Sequence, residues 1–414
     1  MAAPNPFDDF YRQEYGRVVS HLTHKFGAEQ LEAVEDAVQE ALYRALKVWE
    51  REGMPDSPTA WVVRTAQNVL LDGLRRQQSF QQKHGPEWQR QSERTLEVKD
   101  LEEELADDQL RMMFACCHPK VREEAQVLLT LKILCGFSNR EVARALLKHE
   151  EAIAKAYTRA KQHLREVGVN LEVPLGAQLS GRLDAVLRII YLLFNEGYHT
   201  TEGDALIKHE LCAEALRLAD LLLENPLLRK PAVHGLMSLM LFQASRFGAR
   251  TGPQGQVLTL EEQDRSRWNG TLIAQGSDHL SKATAFGQQD DYTLQAAMAG
   301  LHALSPSFEA TPWADLLVLY NVQVARNPSP VIRLNRAVVV QRVQGPAEAL
   351  KELEALAQEP RLQAYPLYYA VRADAYEALG AMEETRKDLE RARELAQSEH
   401  ERAFFTHKLE GLGL

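Results

Sequence analysis

The sequence predicts an all-α protein, and three features of the chain support this prediction. Leucine, alanine and glutamate are abundant, and these residues favour helices. Runs of β-branched residues are short, and glycine and proline fall mostly between segments with helical periodicity. The chain has 414 residues, of which 45% are hydrophobic and 26% charged, enough for roughly two to four domains. This composition excludes general disorder.

Glycine, proline and polar clusters interrupt the helical pattern at several places. Two helical blocks, at about 7–78 and 109–167, precede a linker and a long helical region that completes the chain. The predicted architecture is therefore two small helical domains followed by a larger helical extension. The interruptions lie at residues 53–58, 79–108, 168–181, 252–255 and 327–330.

The last part of the chain contains a degenerate internal repeat. Corresponding residues recur after 36 positions, close to the roughly 34-residue period of tetratricopeptide repeats. Small residues at the ends of the pattern let paired helices approach closely. We therefore expect stacked helix pairs, joined to the preceding helices because two repeats alone would be marginal. The pattern aligns Ala337, Val340, Ala349, Leu353 and Leu356 with Ala373, Tyr376, Thr385, Leu389 and Ala392.

Residues 32–49 predict an amphipathic helix with two distinct faces. From periodicity alone the polar face is typical of a solvated surface, and a binding surface is the alternative. The apolar stripe comprises Val34, Ala37, Val38, Ala41, Leu42, Ala45 and Leu46. The opposite, polar face carries Glu35, Asp36, Gln39 and Glu40.

Residues 57–76 predict a second helix, which begins with serine and threonine residues that can cap it. Arg64, Asn68 and Arg75 fall on one face of this helix, with Arg76 alongside. The helix dipole favours cations at a C-terminus, so a purely structural role suffices for the two adjacent arginines. Guanidinium groups also bind phosphates, and an amide reads base edges, so a nucleic-acid interface is the functional alternative.

The second block predicts a helix-turn-helix. Ser138 and Glu141 have the spacing of a capping box, which starts a short helix. A polar break at 148–150 separates it from a longer helix with a basic outward face. This arrangement is typical of DNA-reading domains, although short helix pairs are also common elsewhere. The outward face carries Lys155, Thr158, Arg159, Gln162 and Arg165.

Taken together, these segments resemble an extracytoplasmic-function (ECF) sigma factor of bacterial RNA polymerase. Residues 35–42 are similar to the helix of sigma region two that docks on the polymerase. Residues 60–76 are similar to the helix that reads the −10 promoter element. Residues 138–165 resemble region four, which reads the −35 element, and no separate region three is apparent. The order and spacing of these segments over about 160 residues carry the resemblance.

The resemblance implies two partners, core RNA polymerase and promoter DNA. It implies no catalytic residue, metal or cofactor, so the chain is not expected to be an enzyme. The residues implied to bind a basic coiled coil of the polymerase are Glu35, Asp36, Gln39 and Glu40. The residues implied to bind DNA are Arg64, Asn68, Arg75, Arg76, Lys155, Thr158, Arg159 and Lys161.

Motifs in the rest of the chain, among them 191–198 and 263–268, resemble a subgroup that fuses an ECF sigma factor to a helical, tetratricopeptide-like extension. The extension is expected to regulate or support activity, through a regulatory protein or through contacts within the chain. The implied domains are region two at 1–78, an acidic linker at 79–108, region four at 109–170, a helical extension at 171–290 and tetratricopeptide-like repeats at 291–414.

The acidic linker has two interpretations. Residues 93–108 contain eight acidic and two basic residues, a composition typical of a solvated, disordered segment. In the family this linker threads the basic channels of the polymerase, where a run of carboxylates would mimic nucleic acid.

The net charge of −10 argues at first against a nucleic-acid partner, but it is unevenly distributed. Residues 58–92 contain five Lys or Arg and two acids, and residues 109–170 contain eleven and six. The segments expected to read DNA are therefore basic, and the excess acid lies elsewhere in the chain.

A cytoplasmic location is expected, because neither a secretory signal nor an apolar run of about 18 residues is visible. Cys116, Cys117 and His118 are adjacent, but no partner pair completes a zinc site. Buried, apolar thiols are the preferred interpretation of the four cysteines.

Two other functions compete with the sigma factor. One is a stand-alone helix-turn-helix activator with a helical-repeat sensor domain, which would need no docking helix. The other is an enzyme built in residues 180–290, where several polar residues occur without nucleophile–base spacing, so buried hydrogen bonds explain them better. Those residues are Asn195, Glu196, Tyr198, His199, Asp264, Arg265 and Trp268.

Overall fold

The computed structural model confirms the all-α prediction: the described residues form nineteen α-helices and no β-sheet. The structure describes residues 6–76, 98–146, 148–199, 205–252, 258–287, 290–396 and 399–412. The chain divides into two compact units. Unit 1 comprises residues 1–199 and 203–222, and unit 2 comprises residues 200–202 and 223–414.

Unit 1 contains eight helices and most of a ninth. They are α1 (Pro6–Phe26), α2 (Leu31–Glu52), α3 (Pro58–Arg76), α4 (Val98–Cys116), α5 (Glu123–Leu129), α6 (Asn139–Ala145), α7 (Glu150–Val167), α8 (Ala177–His199) and α9 (Ala205–Glu224). One π-helical turn, Thr130–Leu134, continues α5.

Unit 2 contains the remaining ten helices of the described chain. They are α10 (Pro231–Ala244), α11 (Gly270–Thr284), α12 (Asp291–Ala303), α13 (Trp313–Arg326), α14 (Pro330–Gln344), α15 (Pro346–Ala355), α16 (Pro360–Gln363), α17 (Pro366–Ala378), α18 (Met382–Leu395) and α19 (Glu399–Gly411).

The apolar stripe of α2 forms the centre of the N-terminal three-helix core. Six of its seven predicted residues are buried against α1 and α3, whereas Leu46 is 40% exposed. An aromatic cluster closes one end of this core. The Trp49 ring meets the rings of Phe10 at 5.2 Å and Trp61 at 5.5 Å, both edge to face, so it ties the three helices together.

The predicted acidic linker is partly helical. Residues 79–97 of that prediction lie outside the described residues, but 98–108 form the first half of α4. Leu101 and Leu105, one helical turn apart, are buried, and α4 packs against α1. The predicted start of region four at residue 109 therefore lies within a continuous helix.

The repeat predicted in the C-terminal part corresponds to two helix pairs. The helix α14 begins at Pro330, and α17 begins 36 residues later at Pro366. The partner of α14, the helix α15, is shorter, whereas the partner of α17, the helix α18, has a similar length. Ala337, Ala349 and Leu353 are buried, as are Ala373 and Leu389 in the second pair. Small buried residues thus lie where the paired helices approach, as the pattern required.

A buried ion pair joins the two helices of the second pair, and we expect its removal to lower stability. Arg372 of α17 donates to both carboxylate oxygens of Asp388 in α18, each at 2.6 Å, and Asp388 is buried. We expect Arg372→Met to lower the free energy of unfolding of unit 2 by about 3 kcal/mol, because the substitution leaves a buried carboxylate unpaired. Urea denaturation measures this loss.

The control for this prediction is Arg391→Met, which removes an exposed arginine paired with Glu394 at 2.8 Å. An exposed pair contributes less than about 1 kcal/mol. Equal losses for the two variants would contradict a specific role for the buried pair.

Candidate nucleic-acid interface

The polar face of α2 lies at the surface at three of its four predicted positions. Asp36 is exposed. Glu40 lies at the surface, where its carboxylate accepts a hydrogen bond from Arg44 Nε at 2.7 Å. Gln39 lines an open surface pocket between α2 and the turn that precedes α6. Glu35 departs from the prediction: it is only 5% exposed, because it lies at the edge of the apolar stripe and is covered by another part of unit 1.

The polar face of α3 is exposed where its side chains are described. Arg64, Asn68 and Arg75 are exposed and lie on the side away from the buried core of the helix. Arg75 Nη1 lies 3.5 Å from a carboxylate oxygen of Asp72, a loose pair that leaves the guanidinium accessible. Arg76 is the last residue of α3, and its side chain lies outside the described residues.

The segment predicted as a helix-turn-helix begins with the predicted capping box, and the structure confirms the capping box. The Ser138 hydroxyl accepts from the Glu141 backbone N–H at 3.2 Å, and the Glu141 carboxylate accepts from the Ser138 N–H at 2.7 Å. Glu141 also pairs with Arg12 of α1. Burial opposes ionisation of Glu141, but its bonds to Ser138 and the charge of Arg12 lower its pKa.

The basic face of α7 is exposed as predicted. Lys155, Thr158 and Arg159 project from this face, while Ile153 and Leu164 are buried on the opposite side. The Thr158 hydroxyl donates within its own helix, to the Ala154 carbonyl at 3.1 Å. The face therefore presents two cationic donors and a hydroxyl oxygen to solvent, and groups of these kinds contact phosphates and base edges.

Lys161 does not belong to this exposed face. It is 8% exposed, and its Nζ donates to Glu35 Oε2 of α2 at 2.8 Å. The Tyr157 hydroxyl donates to the other carboxylate oxygen of Glu35, and the Tyr15 hydroxyl lies 3.4 Å from that same oxygen. Burial and the adjacent carboxylate raise the pKa of Tyr157 well above its usual value. A residue predicted to bind polymerase and one predicted to bind DNA therefore bind each other.

A second buried cluster, which the sequence did not predict, joins α4 to α1. Asp108 is 3% exposed and lies 2.8 Å from the Nδ1 atoms of both His21 and His24, and it also pairs with Arg111. Burial opposes ionisation, but the hydrogen bonds from the two histidines lower the pKa of Asp108 to about 2. The sequence did contain a signal for the helix, the apolar spacing of Leu101 and Leu105. It contained no signal for the cluster, because the histidines that bind Asp108 lie too far away in sequence to be recognised.

The lowered pKa of Asp108 makes stability depend on pH. An unfolded aspartate titrates near pH 3.9, so the contribution is complete only above about pH 5 and is lost as pH falls towards 2. We expect Asp108→Asn to remove about 2 kcal/mol from the free energy of unfolding at pH 6, and to flatten its decline between pH 4 and 2. Denaturant titrations at several pH values measure both effects.

The matched control is Asp107→Asn, because Asp107 is exposed on the same helix turn. An unchanged pH profile in the Asp108 variant would contradict the assignment of that pH dependence to the buried carboxylate.

The adjacent cysteines are buried, as expected for structural thiols. Burial raises the pKa of Cys117 to about 12 and that of Cys116 well above its usual value, so both remain protonated. Among the residues that the structure describes, no group of three or more His, Cys, Asp and Glu could hold a metal ion.

The polar residues that were considered as a catalytic cluster are divided between the two units. Asn195, Glu196 and Tyr198 belong to unit 1, whereas Arg265 and Trp268 belong to unit 2. The Arg265 guanidinium lies over the Trp268 ring, 4.6 Å from its centroid, and donates to the Ser305 carbonyl at 2.9 Å. In unit 2 this arginine therefore supports the packing of a turn. His199 is the last residue of α8, and its side chain lies outside the described residues.

No helix in the described part of the chain is long and apolar enough to cross a membrane.

Comparison with known proteins finds a family match in each of two parts of the chain. Residues 10–80 match the family Sigma-70 region 2, and residues 182–284 match a family of unknown function, DUF6596. An uncharacterized protein of Rhizobium meliloti (strain 1021) is 38% identical over 391 residues, which cover 92% of this chain and 90% of that protein. No solved structure significantly matches the chain.

Proposed function

We propose, from the premise that residues 10–80 match the family Sigma-70 region 2, that this chain is an ECF sigma factor. In this proposal it binds core RNA polymerase and directs initiation at promoters with a −10 and a −35 element. The observation that carries the proposal is the match of residues 10–80 to sigma-70 region 2, on a helix pair with one acidic and one basic exposed face.

The two faces of region two suit two different partners. Asp36, Gln39 and Glu40 of α2 would bind a basic helical surface of the polymerase. Arg64, Asn68 and Arg75 of α3, together with Arg76, would bind the −10 element, through phosphate contacts that position the chain and a base-edge contact from the amide.

Region four would bind the −35 element through α7. The capping box fixes the start of α6, and the basic face of α7 is accessible at Lys155, Thr158 and Arg159. A recognition helix in the major groove uses an exposed face of this kind. A stand-alone activator would use the same helix, but it would have no use for the region two helix pair.

Unit 2 is proposed as a regulatory or supporting extension. Its helix pairs border a groove of about 630 Å³ lined by charged side chains of both signs, among them Glu261, Arg342, Asp374 and Lys408. Stacked helix pairs commonly bind proteins on such surfaces. A regulatory protein or another part of the transcription complex is the expected partner.

In vitro transcription with core polymerase tests the proposed function. The purified full-length chain should bind core polymerase and support initiation that depends on promoter sequence. DNA binding by the chain alone, without any effect on core polymerase, would favour the activator instead. If the chain neither binds core nor supports initiation, the proposal is wrong.

The role of the extension is tested by a chain that ends after Glu224, which retains α9. Transcription above that of the full chain would mean that unit 2 inhibits, and lost transcription with normal helical content by circular dichroism would mean that it supports activity. Unchanged activity would contradict both roles.

A further inference from the structure

The turn at residues 264–268 of unit 2 holds an arginine in a fixed position against a tryptophan. The Arg265 guanidinium lies over the Trp268 ring, 4.6 Å from its centroid. Its Nη1 donates to the carbonyls of His302 and, at 2.9 Å, of Ser305, at the end of α12 and just beyond it. Because the guanidinium is planar and rigid, fixing one end of it also fixes the direction of the opposite edge.

The opposite edge of this guanidinium has donors without an acceptor. Arg265 Nε and Nη2 are both buried, and neither donates to any of the residues that the structure describes. These two nitrogens form the side-on fork with which an arginine donates two parallel hydrogen bonds to one carboxylate or phosphate. A buried donor that lacks an acceptor is unfavourable, so an acceptor at this edge would be strongly favoured.

Two further buried nitrogens of the neighbouring side chains are also unpaired in the described part of the chain. Trp268 is only 7% exposed, yet its indole Nε1–H donates to none of the described residues. The Nδ1 atom of His302 is likewise buried and unpaired, and it is a donor in one of the two neutral tautomers of the ring. The surroundings of the fork therefore supply additional donors rather than acceptors.

The charge around the fork is positive. Arg246 also lies over the Trp268 ring, 5.4 Å from its centroid, so two guanidinium groups share one indole. Burial, together with the charges of Arg246 and Arg265, lowers the pKa of His302 to about 4, so this ring is neutral at pH 7. Burial and the charge of Arg246 also lower the pKa of Arg265, as expected for a cation that is poorly compensated.

The nearest acids do not bind the fork. The Asp264 carboxylate accepts from the backbone N–H of Ser266 at 2.9 Å and from its hydroxyl at 2.7 Å, which closes the turn. Glu309 is exposed, and its carboxylate attracts Arg265 without accepting a hydrogen bond from it. An anion from solution would supply both the missing acceptor and the missing negative charge.

We propose that Arg265 and Trp268 form a binding site for a small oxyanion, a carboxylate or a phosphate. Arg265 would bind two of its oxygens through Nε and Nη2, and the Trp268 indole would donate a further hydrogen bond. The Arg265 side chain as a whole is only half-buried, so the covered fork lies close beneath the surface. A small free anion reaches such a fork more easily than a side chain fixed on another protein. The inference concerns unit 2 alone and does not rest on the proposed function.

Titration of the full-length chain with inorganic phosphate, and separately with acetate, tests this proposal. The readout is the indole N–H resonance of Trp268 in a nitrogen–proton correlation spectrum. Trp268→Phe identifies that resonance among the five tryptophans by its loss. Sodium chloride at equal ionic strength in the reference sample removes the effect of salt screening. We expect the resonance to move saturably with at least one of the two anions, with half-saturation at about 1 mM or below.

Arg265→Lys is the decisive variant, because lysine keeps the positive charge and lacks the fork. We expect it to weaken binding by at least about tenfold, since two charge-assisted hydrogen bonds become one. The matched control is Arg267→Lys, the same exchange at an exposed position two residues along, which should leave the affinity unchanged. The rise in melting temperature that the anion causes is a second measurement, because a ligand that binds only the folded state stabilises it. Trp268→Phe should reduce this rise.

The outcomes separate the two anion classes and the failure of the proposal. A saturable shift with phosphate alone identifies a phosphate site, one with acetate alone a carboxylate site, and one with both a general oxyanion site. No saturable shift of the Trp268 resonance in the unmodified chain with either anion overturns the proposal, whatever the variants show. Equal weakening by Arg267→Lys and Arg265→Lys also overturns it, because the effect would then arise from general charge. None of these measurements involves transcription, so failure here leaves the proposed function unaffected.

Discussion

Reversing the charge of Asp36 and Glu40 together, as Asp36→Lys and Glu40→Lys, should weaken core polymerase binding by at least about tenfold. Both side chains lie at the surface of α2, and the pair of Glu40 with Arg44 is exposed. An exposed pair contributes little to stability, so the helix should stay folded. Four units of charge change, by contrast, would replace attraction with repulsion at a surface that we propose binds a basic partner. Equilibrium binding to labelled core polymerase measures the loss.

The matched control is Glu50→Lys with Glu52→Lys, which changes the same charge at exposed positions at the end of α2. This control separates a local effect from the change in net charge. DNA binding measured in parallel gives the decisive comparison, because charge reversal at a docking surface should weaken polymerase binding far more than DNA binding. Equal losses of both would contradict the assignment of this face to the polymerase.

Removing two donors from α7, as Lys155→Ala and Arg159→Ala, should reduce affinity for a promoter with an intact −35 element by at least about tenfold. The side chains are exposed, and Arg159 Nε donates to the Lys155 carbonyl of its own helix, at 3.3 Å. The fold should therefore be unaffected. Holoenzyme binding at several salt concentrations separates the two kinds of contact: a phosphate contact lowers the salt dependence for all sequences, and a base contact relaxes discrimination at the −35 element.

Lys351→Ala with Arg391→Ala is the control, since it removes two exposed cations from unit 2. A loss of promoter affinity of similar size in the control would show that the effect arises from the general charge of the protein. Unchanged promoter affinity in the α7 variant would remove that helix from the DNA interface.

The features that sequence predicted correctly are local ones. The capping box of α6 joins residues three positions apart, and the stripe of α2 follows the helical period. Interactions between neighbours in sequence act in the same way wherever the segment packs, so their patterns can be read directly. The helix at 98–108 is also a local feature, but the sequence analysis predicted a linker there: Leu101 and Leu105 show helical spacing, and the high density of acids obscured it.

The positions that sequence misplaced are long-range ones. Glu35 and Lys161 each lie at the edge of an amphipathic face, where the period alone cannot decide between solvent and interior. Their pairing joins residues 126 positions apart, and the Tyr157 bond joins residues 122 positions apart. Asp108 and His21, which bind each other in the second cluster, lie 87 positions apart in the sequence. No local pattern encodes which segment will cover such a side chain.

The sequence by itself determined that this protein is helical, where α3 and α6 begin and which face of α2 is apolar, because propensity, caps and periodicity depend on neighbouring residues. It also carried the resemblance to a sigma factor, which the match to sigma-70 region 2 supports independently. Only the tertiary structure decided which polar side chains are available to a partner. Burial of a carboxylate requires compensating donors, and those donors come from distant helices that the packing of unit 1 brings together.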